Sequence, residues 1–199
     1  HPASRLQAIV ENAQASALLY SGTAPFENPG LLCLDNLPSA SRASMFEPLA
    51  DCNAPAVAIY TSGTTGQPKG VLLSHANLNH FQAWYRQHVD LQPGSRVLQF
   101  STIGFDASLL DILPTFIAGA TLVVPTPDQR RDPNQLLALI NAQEVSHAFL
   151  PPALLSILPS DQPMTLQHLV TGGDVCEPAV LQAFAHRCQL HNIYEPTET

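Results

Sequence analysis

Positive charge is scarce in this sequence. Eight Lys and Arg stand against sixteen Asp and Glu, a formal net charge of −8. No basic run occurs, which argues against nucleic acid or an anionic membrane as the main partner. Charged residues of both signs make up only 12% of the chain, so much of its surface expects to be covered. No apolar stretch approaches the ~20 residues needed to span a bilayer, and no signal peptide is visible. The expected compartment is therefore the cytoplasm. Cys33, Cys52, Cys176 and Cys188 form no C-x-x-C pair, and the eight histidines show no H-E-x-x-H spacing. Reduced structural thiols and ordinary imidazoles are expected, not a metal centre. Internal repeats and low-complexity tracts are also lacking.

What remains is a globular composition. With 199 residues and 45% hydrophobic side chains, the chain can bury one core of its own or a share of a larger one. It opens at His1-Pro2 without an initiator Met and stops at Thr199, and the expectation is a piece of a longer protein. Leu6, Ile9, Val10 and Ala13 have helical spacing, and Ala17–Tyr20 reads as a strand. Residues 21–53 are rich in Pro, Asn, Ser and Asp, with one short apolar piece at Leu31–Leu34. A loop-rich part over 1–53 is thus expected to precede a regular core over 54–199.

That core alternates. Ala56–Tyr60 looks like a strand buried on both faces, and Val71–Leu73 follows a polar loop. Ser74 stands where a helix N-cap would, ahead of a helix over 75–88. Strands are then predicted at 96–100, 121–124, 145–149, 167–171 and 191–194. Helices are predicted at 107–118, 134–143, 152–158 and 178–187. Such alternation implies βαβ crossovers and an α/β fold with a largely parallel sheet flanked by helices.

Between the first two of these strands lies Thr61-Ser62-Gly63-Thr64-Thr65-Gly66-Gln67-Pro68-Lys69-Gly70. Glycines let backbone N–H groups turn toward a ligand, hydroxyls add donors, and a lysine supplies a point charge for a polyphosphate. A Walker A loop does not fit. Gly66 is followed by Gln67-Pro68, and no helix opens on Lys69.

Tyr60 through Gly70 resembles the signature of adenylate-forming enzymes, which include acyl-CoA ligases, luciferases and nonribosomal peptide synthetase adenylation domains. The resemblance extends along nearly the whole chain and implies the middle of that family's large subdomain. In the family this loop holds the β- and γ-phosphates of ATP while a carboxylate attacks the α-phosphate. By resemblance Thr61, Ser62, Gly63, Thr64, Thr65, Gly66 and Lys69 bind the nucleotide, and Lys69 also counts as catalytic.

Phe105-Asp106-Ala107-Ser108 precedes an apolar helix, and Asp106 reads from the residues alone as an N-cap. It is also similar to the F-D-x-S segment of amino-acid-activating domains, whose Asp pairs with the substrate ammonium. The two roles are compatible, and a buried carboxylate needs such a cation. Thr171-Gly172-Gly173-Asp174 reads as a strand-to-helix turn. It resembles the family's G-G-E/D turn at the adenine site, which assigns Gly173 and Asp174 to the nucleotide. Asn192 through Thr199 resembles N-x-Y-G-P-T-E. That motif gives Tyr194 to adenine, Thr197 to the α-phosphate and Glu198 to Mg²⁺, with Thr197 and Glu198 catalytic.

Glu195 departs from the family's Gly. It brings a second carboxylate toward a triphosphate, and a positive φ there would cost a non-glycine residue about 1–2 kcal/mol. By position in the family, Asp106, Ala107, Leu110, Phe149, Val170, Gly172 and Ile193 line the substrate side chain. Apart from Asp106 they are apolar or small, so a neutral, hydrophobic amino acid is expected.

The resemblance implies ATP, Mg²⁺ and an aminoacyl adenylate passed to phosphopantetheine on a peptidyl carrier domain, beside a condensation domain. The family's ribose-binding Asp, hinge and C-terminal lysine lie outside the chain, so residues 1–199 alone are expected to catalyse little, to expose a sheet edge and to aggregate. An acyl- or aryl-CoA ligase, or a non-catalytic nucleotide-binding module, are the alternatives.

Overall fold

A computed structural model of the chain describes residues 2–27, 30–36, 51–61 and 68–194. It divides into two compact units, His1–Ala76 and Asn77–Thr199. In the first unit, α1 (Ala3–Asn12) is followed by the short strands β1 (Leu18–Tyr20) and β2 (Leu31–Cys33), which pair in parallel. Asp35 ties that pair to the next turn. Its carboxylate accepts from the Ser21 hydroxyl at 2.8 Å and the Gly22 N–H at 2.7 Å, and these bonds hold its pKa below the usual carboxylate value.

The strands β3 (Pro55–Thr61) and β4 (Lys69–Ser74) form an antiparallel hairpin. The expectation of a strand buried on both faces fails here. Ile59 is the one fully buried side chain of β3, which pairs with β4 among the described residues. The apolar run reflects small alanines at 56 and 58, and it does not mark a doubly covered strand. Ser74 ends β4, and α2 (His75–His88) begins at the next residue.

The second unit carries the parallel sheet. Its strands β5 (Arg96–Leu98), β6 (Thr121–Val123), β7 (His147–Phe149), β8 (His168–Gly172) and β9 (Gln189–Ile193) lie in the order β6-β5-β7-β8-β9. Every adjacent pair is parallel. Between them run α3 (Ala107–Ile117), α4 (Pro127–Arg131), α5 (Pro133–Ala142), α6 (Pro152–Leu155) and α7 (Pro178–Ala185). Predicted boundaries fall within one to three residues of these.

Alternation along the strands explains the layers. Leu98, Ala148, Leu150 and Leu169 share one cluster with Leu136, Leu137 and Ile140 of α5 and Phe184 of α7. The intervening Val97, Phe149 and Val170 share another with Tyr85 of α2 and Leu110 of α3. Side chains two apart on a strand face the same way, so the sheet is apolar on both faces and helices cover both.

Helix α4 was not legible as an element, though its cap is. Thr126 accepts from the Gln129 N–H at 3.3 Å, and Gln129 reaches back to the Thr126 N–H at 2.9 Å, with proline at the first helical position. That is a capping box. Asp132 caps α5 without that reciprocal bond, its carboxylate accepting from the Asn134 and Gln135 N–H groups.

The expected ordinary histidines include an unexpected stack. On one face of the sheet, His147 and His168 lie 4.7 Å apart between ring centroids, and His168 and His191 lie 5.7 Å apart. His147 Nε2 meets the Val89 carbonyl at 3.0 Å, so this nitrogen carries the proton in the neutral ring. Burial and the neighbouring His168 push the His147 pKa down to about 4. The four cysteines are free thiols. No described group of three or more His, Cys, Asp or Glu side chains could hold a metal ion. No described helix is long and apolar enough to cross a membrane.

Candidate functional site

The sheet order reverses between β5 and β7. From β5 the chain moves outward to β6, whereas from β7 it moves the other way to β8 and β9. Loops leaving adjacent strands in opposite directions open a crevice at their carboxyl ends, the usual ligand position in such sheets. A cavity of about 500 Å³ occupies that place. Phe100, Ser101 and Thr102 enter it after β5, while Phe149, Pro151 and Pro152 come from the end of β7 and beyond. Gly172, Gly173 and Asp174 close it from β8, and Asp106 and Ala107 from the start of α3.

Asp106 is the informative residue. Its Oδ1 accepts the Ala107 N–H at 2.8 Å, while its Oδ2 is buried and has no hydrogen-bond partner. The backbone of Asp106 is already helical, at φ −58° and ψ −36°. The cap therefore satisfies only the adjacent N–H and not one a turn further on, as a full N-cap does. A buried carboxylate oxygen without a donor is costly unless a ligand supplies one.

The turn after β8 is shaped by its glycines. Gly173 has φ +81°, a left-handed conformation that favours glycine. A Cβ on Gly172 would come within 2.3 Å of the Ile193 carbonyl oxygen, so β8 and β9 close up only because that side chain is missing. Asp174 is exposed and accepts the Val175 N–H at 2.7 Å.

Of the residues expected to line the substrate pocket, the cavity brings together Asp106, Ala107, Phe149 and Gly172, with Gly173 and Asp174 from the nucleotide set. Leu110 and Val170 are fully buried in the cluster behind Phe149, and Ile193 packs against it. These three do not line the cavity wall itself. Tyr194 follows β9 and is 94% exposed. Thr61 and Lys69 face each other across the β3–β4 hairpin, as do Tyr60 and Gly70, so the connecting loop is shorter than the ten-residue motif. Lys69, the sole lysine of the chain, is exposed at the start of β4. Ser62, Gly63, Thr64, Thr65, Gly66, Glu195, Thr197 and Glu198 lie outside the described residues.

Sequence reasoning missed Phe100, Ser101, Thr102, Arg130 and, at the start of α6, Pro151, Pro152 and Ala153 as lining residues. The signal available was positional: residues just past the carboxyl ends of parallel strands line such crevices. Nothing local marks Arg130, which arrives by way of the unread helix α4.

A parallel α/β sheet with its cavity at the point of strand reversal defines a class of ligand-binding enzyme folds. Within that class, the chain belongs to the family of AMP-binding enzymes, whose family model matches residues 1–199. It is 34% identical over its whole length to the nonribosomal peptide synthetase vlms of Lecanicillium sp, of which it covers 2%. The curated relatives it matches are far longer, and the chain spans only 2–4% of them. Its fold is similar to that of the nonribosomal peptide synthetase FmoA3 in an α-methyl-L-serine-AMP bound form. The TM-score is 0.88 at 26% identity, covering 100% of this chain and 24% of that one. It is also similar to holo-PA1221, an NRPS protein containing adenylation and PCP domains, with a TM-score of 0.80 and 28% identity, covering 100% of this chain and 35% of that one.

Proposed function

We propose that the protein activates a neutral, hydrophobic amino acid. The amino-acid carboxylate attacks the α-phosphate of ATP, the bond from that phosphorus to the bridging oxygen breaks, and aminoacyl-AMP and pyrophosphate form. The phosphopantetheine thiol of a peptidyl carrier domain then attacks the acyl carbon, the acyl–phosphate bond breaks, and a thioester forms with release of AMP and the thiol proton; a condensation domain is a further partner and the cytoplasm the setting. The observation that carries this reading is the unpartnered, buried Oδ2 of Asp106, a residue that lines the cavity. A substrate ammonium would supply the missing donor, and the apolar ring of Phe149 suits an uncharged side chain.

The other roles follow the family resemblance. Thr61, Lys69 and the loop over 62–66 would hold the β- and γ-phosphates, and Gly173, Asp174 and Tyr194 the adenine. Thr197 would meet the α-phosphate. Among the described residues no cluster of carboxylates or imidazoles forms a metal site. By the same resemblance Glu198 would hold Mg²⁺ beside the ATP phosphates, where it would neutralise phosphate charge with hard oxygen ligands. The two nonribosomal peptide synthetases similar in fold, one bound to an aminoacyl-AMP and one carrying a PCP domain, support the amino-acid and carrier readings.

The test is exchange of labelled pyrophosphate into ATP by the intact protein that carries these residues. Exchange should depend on leucine, valine or phenylalanine and not on fatty or aryl acids. Asp106→Asn should lower it about 100-fold or more, since it removes the charge partner of a buried ammonium, while leaving folding intact. Exchange with fatty or aryl acids alone would replace this reading with an acyl- or aryl-CoA ligase. No exchange with any acid would leave a nucleotide-binding module without catalysis.

A further inference from the structure

The cavity wall made by Phe100, Ser101 and Thr102 belongs to no helix or strand, yet both kinds of peptide group in it are held by charged side chains. Asp111, in the middle of α3 and only 1% exposed, accepts the Ser101 N–H through Oδ2 at 3.2 Å. Arg130 of α4 donates to the Phe100 carbonyl and, at 3.2 Å, to the Gln99 carbonyl. Its guanidinium also lies over the Phe100 ring, 5.6 Å from the centroid. The Gln99 side chain completes the set by donating to the Ser101 carbonyl.

Asp111 is a costly residue for this position. Burial raises its carboxyl well above the ordinary value, against the pull of the Ser101 and Phe100 N–H groups and the positive charge of Arg130. Its Oδ1 has no partner at all. An apolar side chain would fill the same space in α3 without desolvating a charge. Packing therefore does not account for it, whereas its contact with the wall does.

We propose that Asp111 and Arg130 are the positioning residues of the cavity, fixing the Phe100–Thr102 segment as a rigid wall against which the amino-acid substrate is seated. This rests on the reading of the cavity as an amino-acid site. Asp111 does not line the cavity, so any effect it has on substrate must pass through the wall. The arrangement divides the work: Asp111 takes an N–H of the segment, and the guanidinium gives to the Phe100 carbonyl and to that of Gln99 just before it. Neither replaces the other, because the Asp111 oxygen that meets the Ser101 N–H accepts, whereas a guanidinium only donates.

Two readouts on the intact protein test it: hydrogen exchange of the Ser101 amide, and the amino-acid and ATP KM values in pyrophosphate exchange. Asp111→Leu should speed Ser101 exchange about tenfold or more and raise the amino-acid KM by a similar factor, with the ATP KM unchanged. Asp111→Asn keeps an acceptor for the Ser101 N–H and should stay within about threefold of the wild type on both. Should Asp111→Leu not fold, the smaller Asp111→Ala carries the same two measurements, and Arg130→Met, which itself lines the cavity, is read by Ser101 exchange alone. Loss of thermal stability with unchanged Ser101 protection and amino-acid KM would overturn the proposal, and so would Asp111→Asn behaving like the Leu variant. A wild type without amino-acid-dependent exchange would instead sink the activation reading, while the Ser101 measurement would still judge the clamp.

Discussion

The two compact units differ in how much they bury. In His1–Ala76 the described strands form two pairs, and Ile59 is the one fully buried apolar side chain described there. In Asn77–Thr199 a five-stranded sheet is apolar on both faces, and Leu98, Leu136, Ile140, Leu150, Leu169 and Phe184 are wholly shielded from solvent. Thr61 and Lys69, proposed to hold phosphate, stand on the sparsely packed unit and Asp106 on the dense one. A hairpin with few buried contacts has little local stability, and a double-layered sheet has much. The difference agrees with the proposed pocket, because a side-chain pocket gains from walls that do not move.

Core truncation tests this contrast most severely. Phe184→Ala should destabilise the second unit by about 3–5 kcal/mol, the usual cost of deleting a buried aromatic ring. Leu72→Ala in β4, whose side chain is 66% exposed, should change stability by no more than about 0.5 kcal/mol. Denaturant unfolding followed by tryptophan fluorescence and far-ultraviolet circular dichroism would measure both. Equal losses at the two positions would break the comparison.

A second test uses the histidine stack, which lies wholly in the dense unit. The His147 pKa is depressed to about 4 from 6.5, so the folded state favours the neutral ring. The stability tied to it is present above pH 6.5, where both states are neutral, and is lost as pH falls through 6.5 toward 4, because the unfolded chain takes up its proton first. For His147 alone the loss should be on the order of 2 kcal/mol by pH 4, discounted for partial solvent exposure. Burial depresses His168 and His191 too, which adds to the trend. A pH series of unfolding midpoints for wild type and His147→Gln would show it. Parallel curves for the two proteins would remove the histidine stack as the cause.

Much of this was legible in the sequence, for reasons that vary by place. Strands β7 and β8 announce themselves because both their faces are buried, and the apolar runs that result are short and bounded. The same rule misled at Ala56–Tyr60, where alanine counts as apolar but does not demand burial. Asp106 could be read from its position as a helix cap, and only the resemblance of Phe105–Ser108 to the F-D-x-S segment singled it out for the substrate. That its Oδ2 goes unpartnered is a property of the packed structure, and no spacing encodes it. Arg130 and Asp111 were unreadable together because they lie nineteen residues apart and meet only through the wall segment between them. The histidine stack was hidden likewise: His147, His168 and His191 come from three strands and align only once strand register is known.

The finest contrast between the units is what each glycine has against it. At Gly172 an added Cβ would meet the Ile193 carbonyl oxygen at 2.3 Å and its Cγ1 at 2.8 Å. The obstacle is backbone in a paired strand, so β8 and β9 would have to part, and Gly172→Ala should cost about 1–3 kcal/mol. At Gly70 the nearest atom is the Tyr60 ring carbon Cζ, at 3.0 Å. That ring is a side chain held by one hydrogen bond, from its hydroxyl to Asn12 Oδ1 at 2.8 Å, and it can swing aside by a few tenths of an ångström. Gly70→Ala should therefore cost under about 1 kcal/mol, the worth of that single exposed hydrogen bond at most. The two variants make the same chemical change, so their difference reports only how far the surroundings yield. Thermal unfolding would rank them, and a Gly70→Ala variant as damaged as Gly172→Ala would show that the hairpin is held more tightly than its burial implies.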